Sequence, residues 1–545
     1  MSLEFAPAAA ATVSVPSAPR PGPGARLVAW ALHDGNAVLG AGALLYAALY
    51  LAYWPRIFTT MDESAYMGMA YVFRRGTAYP DVAGVQVMAS YPVGAHLISK
   101  YPFGMPALLA AVSFLGWLVA LGVNLLTHLL TFVTLANLLR RLGVPAVFAL
   151  LYLLHPTAVI YSRTVMADPA TGLLLLAAFA ALLGGRYGRC GLCAGLSLLL
   201  RTANAVALPV LGLSCLFAAA VAAADRAPRL GQARFLPRSG VATAGLRAAA
   251  RFAGGVLPAA LALAFYTQSV QGGGLSRYGG SFALVYFPHT FLTYAVRLSV
   301  LYPLMLIAPV LYRGPGRFAL TGLTYGYLLL YSFWYFTDFT ASALETFVIG
   351  QRFLLAVLPL FILAYAAMVW RLARSWKPAL RRAGAVAAGA LLVIAAIGIH
   401  QRHARELTRL VRIRSTLLRV TSPSDALVCN MPLAKLFHPA LGGARPYFIT
   451  SALPQQNREN AARHFKSGLS HPGARVFLAL WIRGYRADEA SVERQLIRDT
   501  TRRFMTQPLG AAERGDLPAD IVILRVLGER PNERPAANVE TQPLP

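Results

Sequence analysis

The sequence predicts a polytopic α-helical membrane protein of about eleven spans followed by a small α/β domain, and three observations carry that expectation. Of its 545 residues, 57% are hydrophobic and 13% charged, with a mean hydropathy of +0.53, whereas soluble domains carry about 25% charged residues. The acids are unevenly spread, nine in residues 1–400 and thirteen in 401–545. Between short arginine clusters, apolar runs recur at or just under the roughly 20 residues that a bilayer requires. A soluble globular protein is excluded. The net charge of +28 would otherwise suggest nucleic acid, but much of it sits between apolar runs, where positive-inside topology accounts for it, so no nucleic-acid partner is expected.

Residues 1–25, rich in alanine and proline, lack the composition to build a core and read as a disordered tail. The membrane domain is assigned to residues 26–400. Its apolar segments fall near 37–54, 118–139, 144–161, 169–185, 252–270, 293–312, 318–336, 352–370 and 383–400, and 188–224 holds two short spans turning near Arg201. Arg140 and Arg141, Arg186 and Arg189, the loop 226–251, Arg313 and Arg317, and the stretch 371–382 all become cytoplasmic with eleven crossings. The chain then starts inside and ends outside. Residues 105–139 carry no charge, and placing Arg140 inside allows only an odd number of crossings there, so 105–117 is expected to lie along the interface. Asp62, Glu63, Asp81, Asp168, Asp338 and Glu345 then all lie on the outer face.

The first outer loop, 55–104, opens with MDESAYMGMAYVFRRG, read as a short surface helix. Asp62 and Glu63 are either a general base or metal ligand at the membrane surface or acids that cap a helix N-terminus. In the short second loop, Asp168-Pro169 fits an N-cap followed by proline at the first helical position. A capping aspartate can still present its free oxygen to a neighbour, and Arg163 stands close by in sequence.

Four segments then carry a resemblance: DE-x-x-Y-x-x-x-A at Asp62 to Ala70, YPFGMPALLA at 101–110, YSRTVMADPATG at 161–172 and GQRFLLAVLPLF at 350–361. In that order over roughly 35–370 they resemble the GT-C superfamily of membrane glycosyltransferases, in particular the branch with protein O-mannosyltransferases and the aminoarabinose transferase of lipid A. The chain departs from that pattern in having Phe103 for the second proline of YPPG, and in its long basic loop at 225–251. The resemblance implies an inverting transfer of one sugar from a polyprenyl-phosphate donor to an acceptor hydroxyl. It implies Asp62 as the catalytic aspartate, Asp168 as the second loop acid, and a supporting role for Glu63.

The residues fit such chemistry independently. Gly272 to Gly274 lack the Lys-Ser/Thr of a P-loop, and carboxylates outside the cell need a donor that has already crossed the membrane. Departing lipid phosphate gains charge that arginine stabilises well in a water-poor site. Arg201, Arg277, Arg297 and Arg352 are the candidates by depth, with Arg163 and His289 added; each taken singly is equally explained by snorkelling or interfacial packing. Arg201 is the most informative, because it interrupts an apolar run and its burial would require an anionic partner. No cofactor is required. A divalent metal on Asp62, Glu63 and Asp168 is possible but not indicated, and His400-x-x-His403 has only Glu406 near it. Cys190-x-x-Cys193 reads as helix packing, since four cysteines in all are too few for a disulfide framework.

The tail, 401–545, alternates apolar runs at 425–430, 445–450, 475–481 and 519–527 with amphipathic segments, the rhythm of a small extracytoplasmic α/β domain. The rival function is a transporter or flippase for an anionic lipid, but that class usually places its charges near the midplane and shows paired repeats, neither of which is visible here. The acceptor, a glycan, lipid or protein hydroxyl, and the sugar stay open. Arginine outnumbers lysine 46 to 4, which suggests a GC-rich bacterial genome and an inner-membrane location.

Overall fold

Proline placement decides which apolar runs become unbroken helices. In the computed structural model, the described residues are 35–83, 85, 87, 90–226, 238–273, 282–334, 352–443, 447–449, 454–482, 487–515 and 517–531. The first 25 residues, Asp338, Glu345 and Arg277 lie outside them.

Helix α1 (Asn36–Ala52) leads into the surface helix α2 (Met61–Arg74) and a hairpin of β1 (Ser90–Val93) and β2 (His96–Ser99). Helix α3 (Gly104–Val112) has nine residues, about 13 Å at 1.5 Å per residue, too short to cross. It ends before Gly116, whose φ of 114° breaks the chain ahead of α4 (Val123–Arg141). The expected interfacial segment is thus a separate short element.

The expected spans at 144–161 and 293–312 are not continuous helices. Pro156 keeps His155 extended (φ −63°, ψ 127°), which separates Leu150–Leu153 from Pro156–Tyr161; a residue before proline is pushed out of the α region. Pro303 does the same to Tyr302 (φ −129°, ψ 94°), and Leu304 follows at φ 69°.

The other apolar runs fold as α5 (Ala167–Leu183), α6 (Tyr187–Leu200), α7 (Ala207–Arg226), α8 (Arg238–Ser269), α9 (Phe287–Leu301), α10 (Arg317–Ser332) and α11 (Leu358–Ala373). Helix α12 (Pro378–Val420) runs on for 43 residues, so the change of composition at residue 400 falls inside one helix. Among the described residues, four helical stretches are long and apolar enough to cross a membrane: Trp117–Arg141, Thr202–Ala223, Gly240–Ser269 and Pro378–Val420. Five shorter apolar helices accompany them, α1, α3 with its following turn, α5, α6 and α11.

Basic clusters gather at one end of this bundle. Arg140 reaches Asn36, Arg371 donates to the Leu311 carbonyl (2.7 Å) and Arg374 to that of Gly143 (3.4 Å). Beyond α12, strands β3 (Ala426–Cys429), β4 (Tyr447–Ile449), β5 (Val476–Trp481), β6 (Phe504–Pro508) and β7 (Ile521–Glu529) form a mixed sheet in the order β4-β3-β5-β7-β6. The β3–β4 and β3–β5 pairs are parallel, and β7 is antiparallel to β5 and β6. Helices α13 (Pro454–Leu469) and α14 (Ala487–Arg503) complete the α/β pattern. Strand β5 is buried along its whole length, as its unbroken apolar run VFLALW requires of a central strand. Four of the five strands coincide with the apolar runs; β6, with Thr506 and Gln507, has none to announce it.

Candidate functional site

Two adjacent acids at the start of α2 take different roles. Thr60 caps the helix and its hydroxyl accepts from the Glu63 N–H, while Glu63 Oε2 accepts from the Thr60 and Thr59 N–H groups (2.7 and 2.8 Å) and the Thr59 hydroxyl (2.7 Å). This is a capping box. Its signature, Thr-x-x-Glu, stands in the sequence at 60–63. Glu63 is fully buried; burial raises its pKa against these hydrogen bonds. Its Oε2 is consumed by the cap and its Oε1 accepts from the Val165 N–H (3.4 Å) in the loop before α5, so the supporting role expected for Glu63 is architectural: it fixes the first turn that carries Asp62 and ties it to the second loop. Lys435, from the chain after β3, donates to the Thr59 carbonyl (2.5 Å), and burial lowers its pKa to about 8.

Asp62, one position earlier and about 100° round the helix, leaves the cap free. Its Oδ1 accepts from the Tyr101 hydroxyl and its Oδ2 pairs with Arg352. Burial pushes its pKa up, but the Arg352 guanidinium and the Tyr101 hydrogen bond outweigh it and hold the carboxyl below its usual range, with Lys100 adding to the field. Tyr101 is delivered by the turn before α3. That helix lies directly on the end of α6, where a Cβ on Gly104 would overlap the Leu199 carbonyl, so glycine at 104 permits the close approach.

The N-cap expected of Asp168 is not observed. Helix α5 begins at Ala167 with Met166 as its cap residue and no side-chain cap bond, because the extended backbone turns two residues earlier than the Asp-Pro pair suggested. Asp168 points instead to Arg201, with which it forms an ion pair, and its other oxygen lies 4.0 Å from Arg352 Nε. Asp168 is 1% exposed and Asp62 24%; Asp62 is the carboxylate a ligand can reach.

Arg201 sits at the turn between α6 and α7, and it has the anionic partner its burial demanded. Aromatic rings set the arginine planes. Phe353 and Tyr331 stack at 4.9 Å and 18°, Arg201 lies over both (5.4 and 5.7 Å), and Arg352 lies over Phe353 (5.1 Å). Arg297 joins from α9: Tyr294 feels the charges of Arg297, Arg201 and Arg352 together. Lys100, Arg201 and Arg352 thus act on two aspartates, with Arg297 sharing the surroundings of Tyr294, an excess of positive charge suited to an additional anion.

The remaining candidates lie apart. Arg163 is 2% exposed and faces α1, donating to the Leu49 carbonyl (2.8 Å) with Tyr50 and Tyr53 against its guanidinium (5.3 and 5.7 Å). His289 is exposed at the start of α9. His400 packs edge-on against Tyr46 at 5.7 Å. Cys190 and Cys215 meet at 4.0 Å across α6 and α7 as free thiols, which is helix packing. No group of three or more His, Cys, Asp or Glu side chains suited to a metal ion occurs among the described residues. Sequence reasoning gave no role to Tyr101, Tyr294, Tyr331 or Phe353. Tyr101 and Phe353 lie within the quoted motifs, whereas nothing local distinguishes Tyr294 or Tyr331 from other aromatic residues in apolar helices.

No protein-family model and no curated protein matches the sequence. Solved structures do match its fold. ArnT from Cupriavidus metallidurans bound to undecaprenyl phosphate is 11% identical, with a TM-score of 0.52 over 90% of this chain and 98% of its own. The same protein in its apo state is 13% identical, with a TM-score of 0.50 and the same coverage. The chain therefore shares the fold of ArnT.

Proposed function

We propose that the protein is an inverting glycosyltransferase that moves one sugar from a polyprenyl-phosphate-linked donor to an acceptor hydroxyl. The observation that carries this reading is the cluster in which Arg352 joins the reachable Asp62 to the buried Asp168–Arg201 pair. The undecaprenyl phosphate bound to ArnT, whose fold the chain shares, makes a lipid phosphate the natural anion for such a site.

The reaction assigns each group a task. The acceptor oxygen attacks the anomeric carbon opposite the phosphate, Asp62 takes the hydroxyl proton, and the carbon–oxygen bond to phosphate breaks with its electron pair leaving on the lipid phosphate. Arg352 and Arg201 stabilise that growing charge. A phosphate drawing Arg352 toward itself weakens the pair that depresses the Asp62 pKa, so donor binding makes Asp62 a stronger base. Asp168 is a positioning residue that orients Arg201. Both aspartates are engaged by arginine, and the reaction is proposed to run on that charge without a divalent metal.

With the arginine clusters cytoplasmic by the positive-inside rule, the catalytic cluster and the sheet of residues 426–529 face outward from a bacterial inner membrane in this reading. The test is transfer of labelled sugar from a panel of polyprenyl-phosphate donors by the purified full chain beside Asp62→Asn. Transfer by the native protein and a loss of about 10²- to 10⁴-fold in the variant, with equal thermal stability, supports the reading. Donor binding with no transfer by either protein would overturn it in favour of a lipid transporter.

A further inference from the structure

A second basic site stands on the same side of the bundle, away from the aspartates. Where α12 leaves its apolar stretch, one face of the helix presents Gln401, Arg405, Thr408, Arg409 and Arg412 to an open cavity of about 630 Å³ that Tyr53, the C-cap of α1, also lines. The volume falls within the range of about 300–1,000 Å³ usual for small-molecule sites. The spacing 401, 405, 408, 412 keeps these residues on one face, with Ile413 at its apolar edge, while Leu407 and Leu410 are buried on the other.

Charge in this cavity is all of one sign. None of Arg405, Arg409 and Arg412 forms an ion pair with a carboxylate among the described residues; Arg409 lies over the Trp481 ring at 5.6 Å, which orients it. A second, independent observation lies behind Tyr53. Arg163, 2% exposed, packs on that ring, and its Nε and Nη1 have no hydrogen-bond partner. A buried guanidinium without a carboxylate is costly, and an anion held beside Tyr53 would offset that cost.

We infer that this cavity binds the phosphate group of a membrane amphiphile. The depth selects the source: Tyr53 ends the first apolar helix, and the arginines occupy the first turns of α12 beyond its apolar run, the level at which lipid phosphates lie. Arginine forks suit phosphate oxygens, and the ring of Tyr53 offers an apolar surface for the adjoining chain.

The experiment uses the purified full chain in detergent and counts bound ligand by native mass spectrometry during titration with short-chain phosphatidic acid, with inorganic phosphate as the second arm. The variants are R405Q/R409Q/R412Q and, as a milder change on the exposed helix face, Thr408→Glu. The control is R494Q/R498Q/R502Q, which removes three exposed arginines with similar spacing from α14. Phosphatidic acid affinity should fall by about tenfold or more in the triple variant, fall in Thr408→Glu, and stay unchanged in the control. Equal binding by native and Thr408→Glu proteins, or an equal loss in the control, overturns the site. Inorganic phosphate binding as tightly as the lipid overturns the lipid assignment.

Discussion

Two arginine clusters share one end of the helix bundle, and they differ in whether aspartate accompanies them. Around Asp62, Arg201 and Arg352 each pair with a carboxylate and stack on Phe353. Around Tyr53, Arg163, Arg405, Arg409 and Arg412 have aromatic contacts or solvent but no carboxylate partner among the described residues. In the first arrangement Arg201 and Arg352 are paired and oriented before a ligand arrives, which suits chemistry, where geometry must be held and a base must be present. The second is an unbalanced charge, which suits retention of an anion without reaction. The same residue type thus serves two purposes, and the neighbouring acid decides which.

That contrast is open to experiment, beginning with the largest effect. Loss of Asp62 removes the only carboxylate in the first cluster that a ligand reaches, and the expected fall of about 10²- to 10⁴-fold has no counterpart when the second cluster is neutralised. Next, Arg352→Gln removes the charge proposed to stabilise the leaving phosphate, with an expected loss of about 10²- to 10³-fold in turnover. It also moves the pH profile. In the native protein Asp62 is held below the usual carboxylate range, so the rate stays level as pH is lowered from 7 toward 5. In Arg352→Gln the burial that raises its pKa is no longer opposed by that cation, and the acid limb shifts to higher pH. An unchanged profile would show that Arg352 does not set the basicity of Asp62.

Asp168→Asn keeps the shape of the side chain but removes the charge opposite Arg201. Breaking one partner of a buried pair costs about 3–5 kcal/mol, which thermal unfolding of the detergent-solubilised protein would register together with reduced turnover. The first cluster would then resemble the second, with an unbalanced arginine. The smallest effect is expected from Thr60→Ala, which removes the cap of α2. A stability loss of about 1 kcal/mol, seen as a lowered midpoint with turnover largely retained, would confirm that the capping box supports the site without taking part in the reaction. A loss of turnover as large as that of Asp62→Asn would merge the two roles.

How far each feature was legible depended on whether its signal was local. Asp62, Asp168, Arg201 and Arg352 stand out because a charge in or beside an apolar run is conspicuous, and all but Arg201 lie within the quoted segments. The separate tasks of Asp62 and Glu63 were half visible: Thr60-x-x-Glu63 spells a capping box, yet the adjacent aspartate shares its chemistry and masks the distinction. The cap assigned to Asp168 was wrong because an Asp-Pro pair fits an N-cap equally well whether or not the backbone turns there. The expected spans at 144–161 and 293–312 were read by hydropathy, which does not register how Pro156 and Pro303 interrupt a helix.

By itself the sequence determined most apolar helices, the four charged residues that meet in the candidate site and most strands of the tail. These follow from hydropathy, period and charge, all properties of neighbouring residues. Tertiary structure alone decided that Arg352 meets Asp62 across 290 positions, that Tyr331 and Phe353 form one platform, and that Arg163 turns from the aspartates toward Tyr53. These pairings depend on which helix ends pack together, and a chain that buries its apolar faces in one arrangement fixes at its ends contacts that no local pattern records.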